Sequence, residues 1–352
     1  MRLQLIALCA AATAHAEPEG ETATIVVRES GYVDNDHTAI STSAIAVRGK
    51  PTEELVVSAH YLADAVSSAS VDVVSAATKR WSELRSEAQG GLAYVGDATT
   101  LSLDYIYSHE NDWDSHTVGI GASRDFFHHN LTLGAGASYV DNRVGRANDE
   151  SFHERLRTGA LSLRAVWVWT QNDIAQAEYD LGRADGYQAS PYRYAYVADP
   201  SGVPLGFPEM VPDARTRHSL TLRWNHHVLA DAALRSHVRG YVDDWGLASI
   251  TAGSEFVVGV EPFELAANVR VYAQQHAAFY QDVYDMPRMY MTADRELSTF
   301  QDVFAGVRAR WQNGNALSID ASLTGFAFRF PEFARLPSRL GLIAALGLVW
   351  AI

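Results

Sequence analysis

Apolar and polar residues alternate one by one through most of this chain. Leu101, Leu103, Tyr105 and Tyr107 alternate with Ser102, Asp104, Ile106 and Ser108. Leu161, Leu163, Ala165, Trp167 and Trp169 alternate with Ser162, Arg164, Val166, Val168 and Thr170, and the same rhythm returns over 219–225, 263–272 and 317–324. A helix would set i and i+2 on nearly opposite faces, whereas a strand sets them on one face, so the pattern predicts strands. Sixteen are expected, at 22–33, 40–48, 54–62, 83–95, 99–109, 114–126, 130–141, 156–170, 174–186, 213–226, 231–245, 248–261, 263–276, 298–312, 315–328 and 339–351.

The connections between these segments differ by parity. The long ones, 63–82, 142–155, 187–212, 277–297 and 329–338, are all odd-numbered in chain order. The even ones are tight: Lys50-Pro51-Thr52-Glu53, Gly96-Asp97-Ala98, Phe127-His128-His129, Gln171-Asn172-Asp173, His227-Val228-Leu229-Ala230, Pro262 and Asn313-Gly314. Asn-Gly is a strong hairpin signal. A soluble β-sandwich has no reason to collect its long loops at one end. A transmembrane barrel does, with short periplasmic turns and longer extracellular loops. Thirteen residues at about 3.3 Å each also reach across a bilayer at a tilt of about 45°. The expected fold is therefore all-β: an antiparallel up-and-down transmembrane barrel of sixteen strands over 17–352, with both termini periplasmic.

Composition then narrows the function. The 352 residues are 47% hydrophobic, 11% aromatic and 20% charged, too apolar for a disordered chain. No apolar run approaches about 18 residues, which excludes a helical membrane bundle. The net charge of −14 leaves no basic face for nucleic acid. Lys50 and Lys79 are the only lysines, so arginine supplies nearly all the positive charge. Residues 1–16 read as a secretory signal: Arg2, an apolar stretch from Leu3 to Thr13, and the cleavage site Ala14-His15-Ala16. Cleavage there removes Cys9, the one cysteine, and leaves Glu17 first.

Particular segments resemble a family of Gram-negative outer-membrane barrels catalogued only as a domain of unknown function. They are the stretch Asp64-Ala65-Val66-Ser67-Ser68-Ala69-Ser70-Val71-Asp72-Val73-Val74-Ser75-Ala76 and the following Glu83-Leu84-Arg85. Arg239-Gly240-Tyr241-Val242-Asp243-Asp244-Trp245, Arg270-Val271-Tyr272 and Ala278-Phe279-Tyr280 complete the set. The resemblance spans the mature chain and implies a fold and a location, the cell outer membrane. It brings no catalytic residues with it. Barrels commonly close on an aromatic residue, and this chain departs from that: the last aromatic is Trp350 and the end is Ile352.

In such a barrel the polar members of each alternation face the lumen, and sixteen strands leave room for water there. The expected lumen set is charged: Arg85, Arg164, Arg217, Arg223, Arg235, Arg239, Arg270, Arg308 and Arg310, with Asp104, Asp243, Glu255, Glu264 and Asp320. Two readings of it stand side by side. Guanidinium groups and carboxylates can set a field that selects small solutes by charge. They can equally pair across the lumen to solvate and stiffen the wall.

Other candidates point to blander roles. His109 and His116 flank Glu110, Asp112 and Asp114, yet no zinc-ligand spacing accompanies them, and the His128-His129 and His226-His227 pairs point to opposite faces. No G-x-S-x-G motif supports a hydrolase, and Asp34-Asn35-Asp36 lacks the rest of a calcium loop. Neither enzyme activity, metal nor cofactor is expected. Trp113, Trp167, Trp169, Trp224, Trp245, Trp311 and Trp350 read as interfacial girdles, and 187–212 as a pore constriction, a lid or a sugar platform. The leading expectation is a porin-like channel for small polar or charged solutes. The alternative is a plugged structural or docking barrel in an envelope complex. Expected partners are outer-membrane lipid, the barrel-assembly machinery during insertion and small solutes.

Overall fold

A computed structural model describes residues 22–68, 81–147, 149–314 and 316–352 of the chain. The expected signal segment and most of 63–82 lie outside the described residues. Sixteen strands form one closed barrel: β1 (Ala23–Asp34), β2 (Thr38–Gly49), β3 (Leu55–Ser68), β4 (Trp81–Val95), β5 (Thr99–Glu110), β6 (Trp113–Phe126), β7 (Leu131–Val144), β8 (Glu154–Val168), β9 (Asp173–Gly186), β12 (Ala214–Leu229), β13 (Ala232–Asp243), β14 (Ala248–Val260), β15 (Phe263–Gln274), β16 (Phe300–Asn313), β17 (Leu317–Arg329) and β18 (Ser338–Ala351). A separate hairpin, β10 (Tyr194–Val197) with β11 (Leu205–Pro208), sits inside the long loop between β9 and β12.

Every strand pairs antiparallel with its neighbours, and β1 closes the ring on β18 from Thr24↔Ala351 to Asp34↔Gly341. Closure leaves no free edge, which is what a β structure in hydrocarbon requires. No helix among the described residues is long and apolar enough to cross a membrane; strands make the crossing. The alternation read from sequence becomes two surfaces. Leu101, Leu103, Ile120, Leu133, Leu163, Leu222, Leu265 and Leu346 are exposed on the outside. Trp167, Trp169, Trp224 and Trp350 mark the periplasmic end of that surface, and Tyr105, Tyr107, Tyr139 and Tyr179 mark its extracellular part. Away from the strand ends, a carboxylate breaks the outer pattern on β1: Glu29, midway along the strand, accepts a hydrogen bond from the Ser43 hydroxyl at 2.7 Å.

The sixteen expected strands all occur, with their ends moved by a few residues. The largest shift is β3, which continues to Ser68 rather than ending at 62. Two tryptophans leave the girdle. Trp245 is 5% exposed, its Nε1 donating to the Ala214 carbonyl, and Trp113 donates to Asn142 against the cluster of Val144, Leu156 and Ala184. Both lie at extracellular strand ends, where loops cover them. At the other end the turns are short, and Gly314 takes the left-handed φ of +59° after Asn313.

The long loops form a cap at the extracellular mouth. The loop 187–213 and the loop 275–299 share a core of Ala195, Val197, Tyr284 and Met291, with Phe207 packed on it. Their backbones join at Val197↔Tyr284 and Met210↔Met291. Arg193 donates to Asp294 at 2.7 Å, and the Thr292 hydroxyl donates to Glu209. From this unit Tyr192 reaches Asp112 in the β5–β6 loop and accepts from the Ala147 N–H, whereas Arg295 reaches Asp36 in the β1–β2 loop at 2.5 Å. The β9–β12 junction lies eight strands round the ring from β1–β2, and the β15–β16 junction eight from β5–β6. Each direct tie spans four strands of the ring, and the joined loops 187–213 and 275–299 carry the linkage from one side of the mouth to the other. The β17–β18 loop joins them: Arg335 packs 4.9 Å from the Tyr196 ring, and Tyr280 donates to the Glu332 carbonyl.

Candidate functional site

All the expected lumen residues fall on the inward parity of their strands, opposite the exposed aliphatic set. Register then decides which of them meet. On β4, Arg85 donates to Glu87 at 2.6 Å and to Ser108, with Asp64 and Glu110 at 3.9 and 3.7 Å. Arg308 on β16 donates to Glu264 at 2.8 Å and lies 3.6 Å from Glu255, which Arg235 also approaches at 3.3 Å. Arg270 donates to Asp302 at 2.8 Å and rests near the rings of Tyr272 and Phe304. Arg310 faces Glu264 and Asp320 across its two neighbours. Asp320 itself accepts from Arg28, and Asp243 from Arg215.

Four arginines are not balanced in this way. Arg164 and Arg223 share the single carboxylate of Glu178, at 3.6 and 2.7 Å. Arg217 and Arg239 have no carboxylate within ion-pair distance among the described residues; Arg239 lies 5.7 Å from the Tyr241 ring. Because Thr221 pairs with Arg239 and Arg223 with His237, these groups form one basic wall on β8, β9, β12 and β13. The opposite character appears on β3, β4, β5 and β6. Asp64, Glu83, Glu87, Asp104, Glu110 and Asp125 face inward there with Arg85 among them. Six strand steps separate β4 from β12 round the ring, so the field runs across the lumen between unlike walls.

Arg28, Arg215, Asp302 and His237 belong to this lumen set although the sequence reading did not select them. Arg215 sits at the start of β12, where alternation is weak, and Arg28 lies midway along β1, a strand whose two faces are both mixed in sequence. Asp302 follows Gln301 and offers no contrast with it. His237 packs over Gly253, whose missing side chain makes the space: an added Cβ would stand 2.4 Å from the imidazole.

In the β5–β6 hairpin the histidines bond to neighbouring outward side chains. His109 and Tyr107 both hold Asp114, at 2.7 and 3.0 Å, and His116 bonds the Tyr105 hydroxyl. A convergence of carboxylates lies on the inward side instead, where Glu83, Glu110 and Asp112 bring oxygens within 4.8 Å of one another. Tyr192 donates to Asp112, which fastens the cap to this edge.

A closed barrel with an apolar exterior, a charged interior and long loops gathered at one end defines a transmembrane β-barrel. The sequence pattern of a family described as "Protein of unknown function (DUF3570)" matches residues 72–160 and 147–329, and the chain belongs to that family. No curated protein matches it by sequence. Among solved structures it is similar to a "Bacterial polysaccharide outer membrane secretin", at 9% identity and a TM-score of 0.58 over 94% of this chain and 99% of that one. It is also similar to CdiB from Acinetobacter baumannii, at 9% identity and a TM-score of 0.55 over 93% of this chain. That match spans 60% of the CdiB chain. At such identities the likeness is one of fold, and the fold is that of outer-membrane barrels.

Proposed function

We propose that the protein is an outer-membrane channel that passes small charged solutes, anions preferentially, along its basic wall. The observation that carries the reading is the set of arginines left without full neutralisation, Arg217, Arg239 and the pair sharing Glu178. A guanidinium left without a carboxylate still costs desolvation, which a passing anion offsets. The facing carboxylates of β3 to β6 draw the cationic end of a dipolar solute the other way, and so orient it in transit. On this reading the protein has no catalytic centre; its work is done by a fixed field.

The test is planar-bilayer recording in a salt gradient. The purified barrel is expected to show a reversal potential of anion preference, and R217S/R239S to move it towards the cationic side. Conductance is expected to rise when 188–212 are removed from the cap. If no channel steps appear, even without that segment, the channel reading fails. A second reading is favoured by one observation: the cap ties opposite sides of the mouth together. It makes the protein a plugged structural or docking barrel of the envelope, and silent recordings from both forms would support it.

A further inference from the structure

The outward face at the extracellular end of β7 and β8 carries positive charge in an arrangement that interior pairing does not explain. Arg143 and Arg155 stand directly opposite each other in register, and Arg157 follows two residues on along the same face. Like charges facing across a strand pair are destabilising unless something of opposite sign lies between them. Asp141 answers part of this, taking Arg155 at 2.7 Å and Arg157 at 3.6 Å. Arg143 has no ion pair within that range among the described residues; Asp114, opposite it in β6, is held by Tyr107 and His109. The side chains of Arg155 and Arg157 remain 53% and 55% exposed.

A groove of about 510 Å³ opens at this point, lined by Arg143, Arg155 and His153 together with Asp112, Asp114 and Glu154. Asp112 is already engaged by Tyr192. Just below on the same outward face come Tyr139, then Leu161 and Leu163, all well exposed. An occupant held here has its polar head among guanidinium groups at the rim and its apolar part on a tyrosine-to-leucine surface. The geometry points to a binding site for a phosphate-bearing lipid headgroup of the outer leaflet, its phosphate bridging Arg143 and Arg155 with Arg157 beside them. Arginine suits the role because its planar fork meets a phosphate through two N–H donors at once. A soluble phosphate ester would gain nothing from the apolar surface beneath. The inference needs the barrel to stand in a bilayer and is independent of what passes through the lumen.

The experiment is native mass spectrometry of the purified, full barrel in detergent, titrated with lipid A, its enzymatically dephosphorylated form, and inorganic phosphate. One phosphorylated lipid is expected to remain bound to the unaltered protein. R143A/R155A is expected to bind it about tenfold or more weakly, and R143K less weakly than R143A. Unchanged heat-modifiable gel mobility shows that each variant is still a folded barrel. A variant that no longer folds is replaced by R143Q, which keeps Asp141 paired and carries the same expectation. Equal binding of the dephosphorylated lipid overturns the proposal, and so does undiminished binding by the variants. Displacement by millimolar inorganic phosphate overturns it too, by reducing the site to a free-anion site. Failure of bilayer conductance leaves it untouched.

Discussion

Single residues show how the same side-chain type is put to different uses. Arg295 is 1% exposed and donates to the equally buried Asp36, joining the loop 275–299 to β1–β2. Replacing it with Met leaves a buried carboxylate without its cation, at a cost of about 3–5 kcal/mol to the cap. The expected result is faster proteolysis within 275–299, with barrel mobility on gels unchanged; equal protease resistance would show that the pair does not hold the cap. Tyr187 reports on the same unit. Burial, with Glu209 and Glu154 adding to it, pushes its hydroxyl up to about 12, above the ordinary tyrosine value of about 10. A raised pKa means that the folded cap binds the proton more tightly than the unfolded one. The associated stability is therefore complete below about pH 10 and is lost as pH rises towards 12. Ultraviolet titration of the unaltered protein against Y187F should show one phenol ionising late; a difference curve centred near 10 would contradict the burial.

At the level of elements, alternation carried most of the information, and its exceptions are where reading failed. All sixteen barrel strands were legible because one face of each meets hydrocarbon and the other water, the condition that writes a period of two into a sequence. The hairpin of β10 and β11 was not, since Tyr194-Ala195-Tyr196-Val197 is short and its partner holds Gly206 and Pro208. It exists because Tyr284 and Met291 arrive from another loop to complete its core. Strand faces also yield a stability prediction. Glu29 lies on the outer face of β1, where among the described residues the Ser43 hydroxyl is its hydrogen-bond partner. Changing it to Leu should stabilise the barrel by ~1–2 kcal/mol, whereas L222R on the outer face of β12, opposite Ala177 and Val238, should cost about 2–4 kcal/mol. Guanidinium-chloride unfolding in vesicles measures both; a loss of stability on E29L would mean that the carboxylate serves a contact on that face.

For the whole molecule, ring closure decides which charges meet. Parity alone tells inward from outward, and every charged side chain chosen on that basis lies on the inward face, although Arg28, Arg215, Asp302 and His237 escaped the choice. The sequence left two readings of them open, selection by charge and mutual pairing, and both are present: Arg85, Arg270 and Arg308 are neutralised, whereas Arg217 and Arg239 are not. Exchanging the walls' character is the corresponding prediction. E87Q/D104N should strengthen anion preference, since it removes opposing charge from the acidic wall and frees Arg85 from Glu87; a shift towards cations in the reversal potential would contradict the transverse field. What the sequence by itself determined was the class of fold, the strand count, the sidedness of the loops and the face on which each side chain lies. These are local matters, set by a two-residue period and by turn length. Only the tertiary structure decided that an acidic wall stands across from a basic one, and that loops rooted four strands apart lock together in series over the mouth. Those relations depend on the number and register of the strands lying between, and no window of sequence holds them.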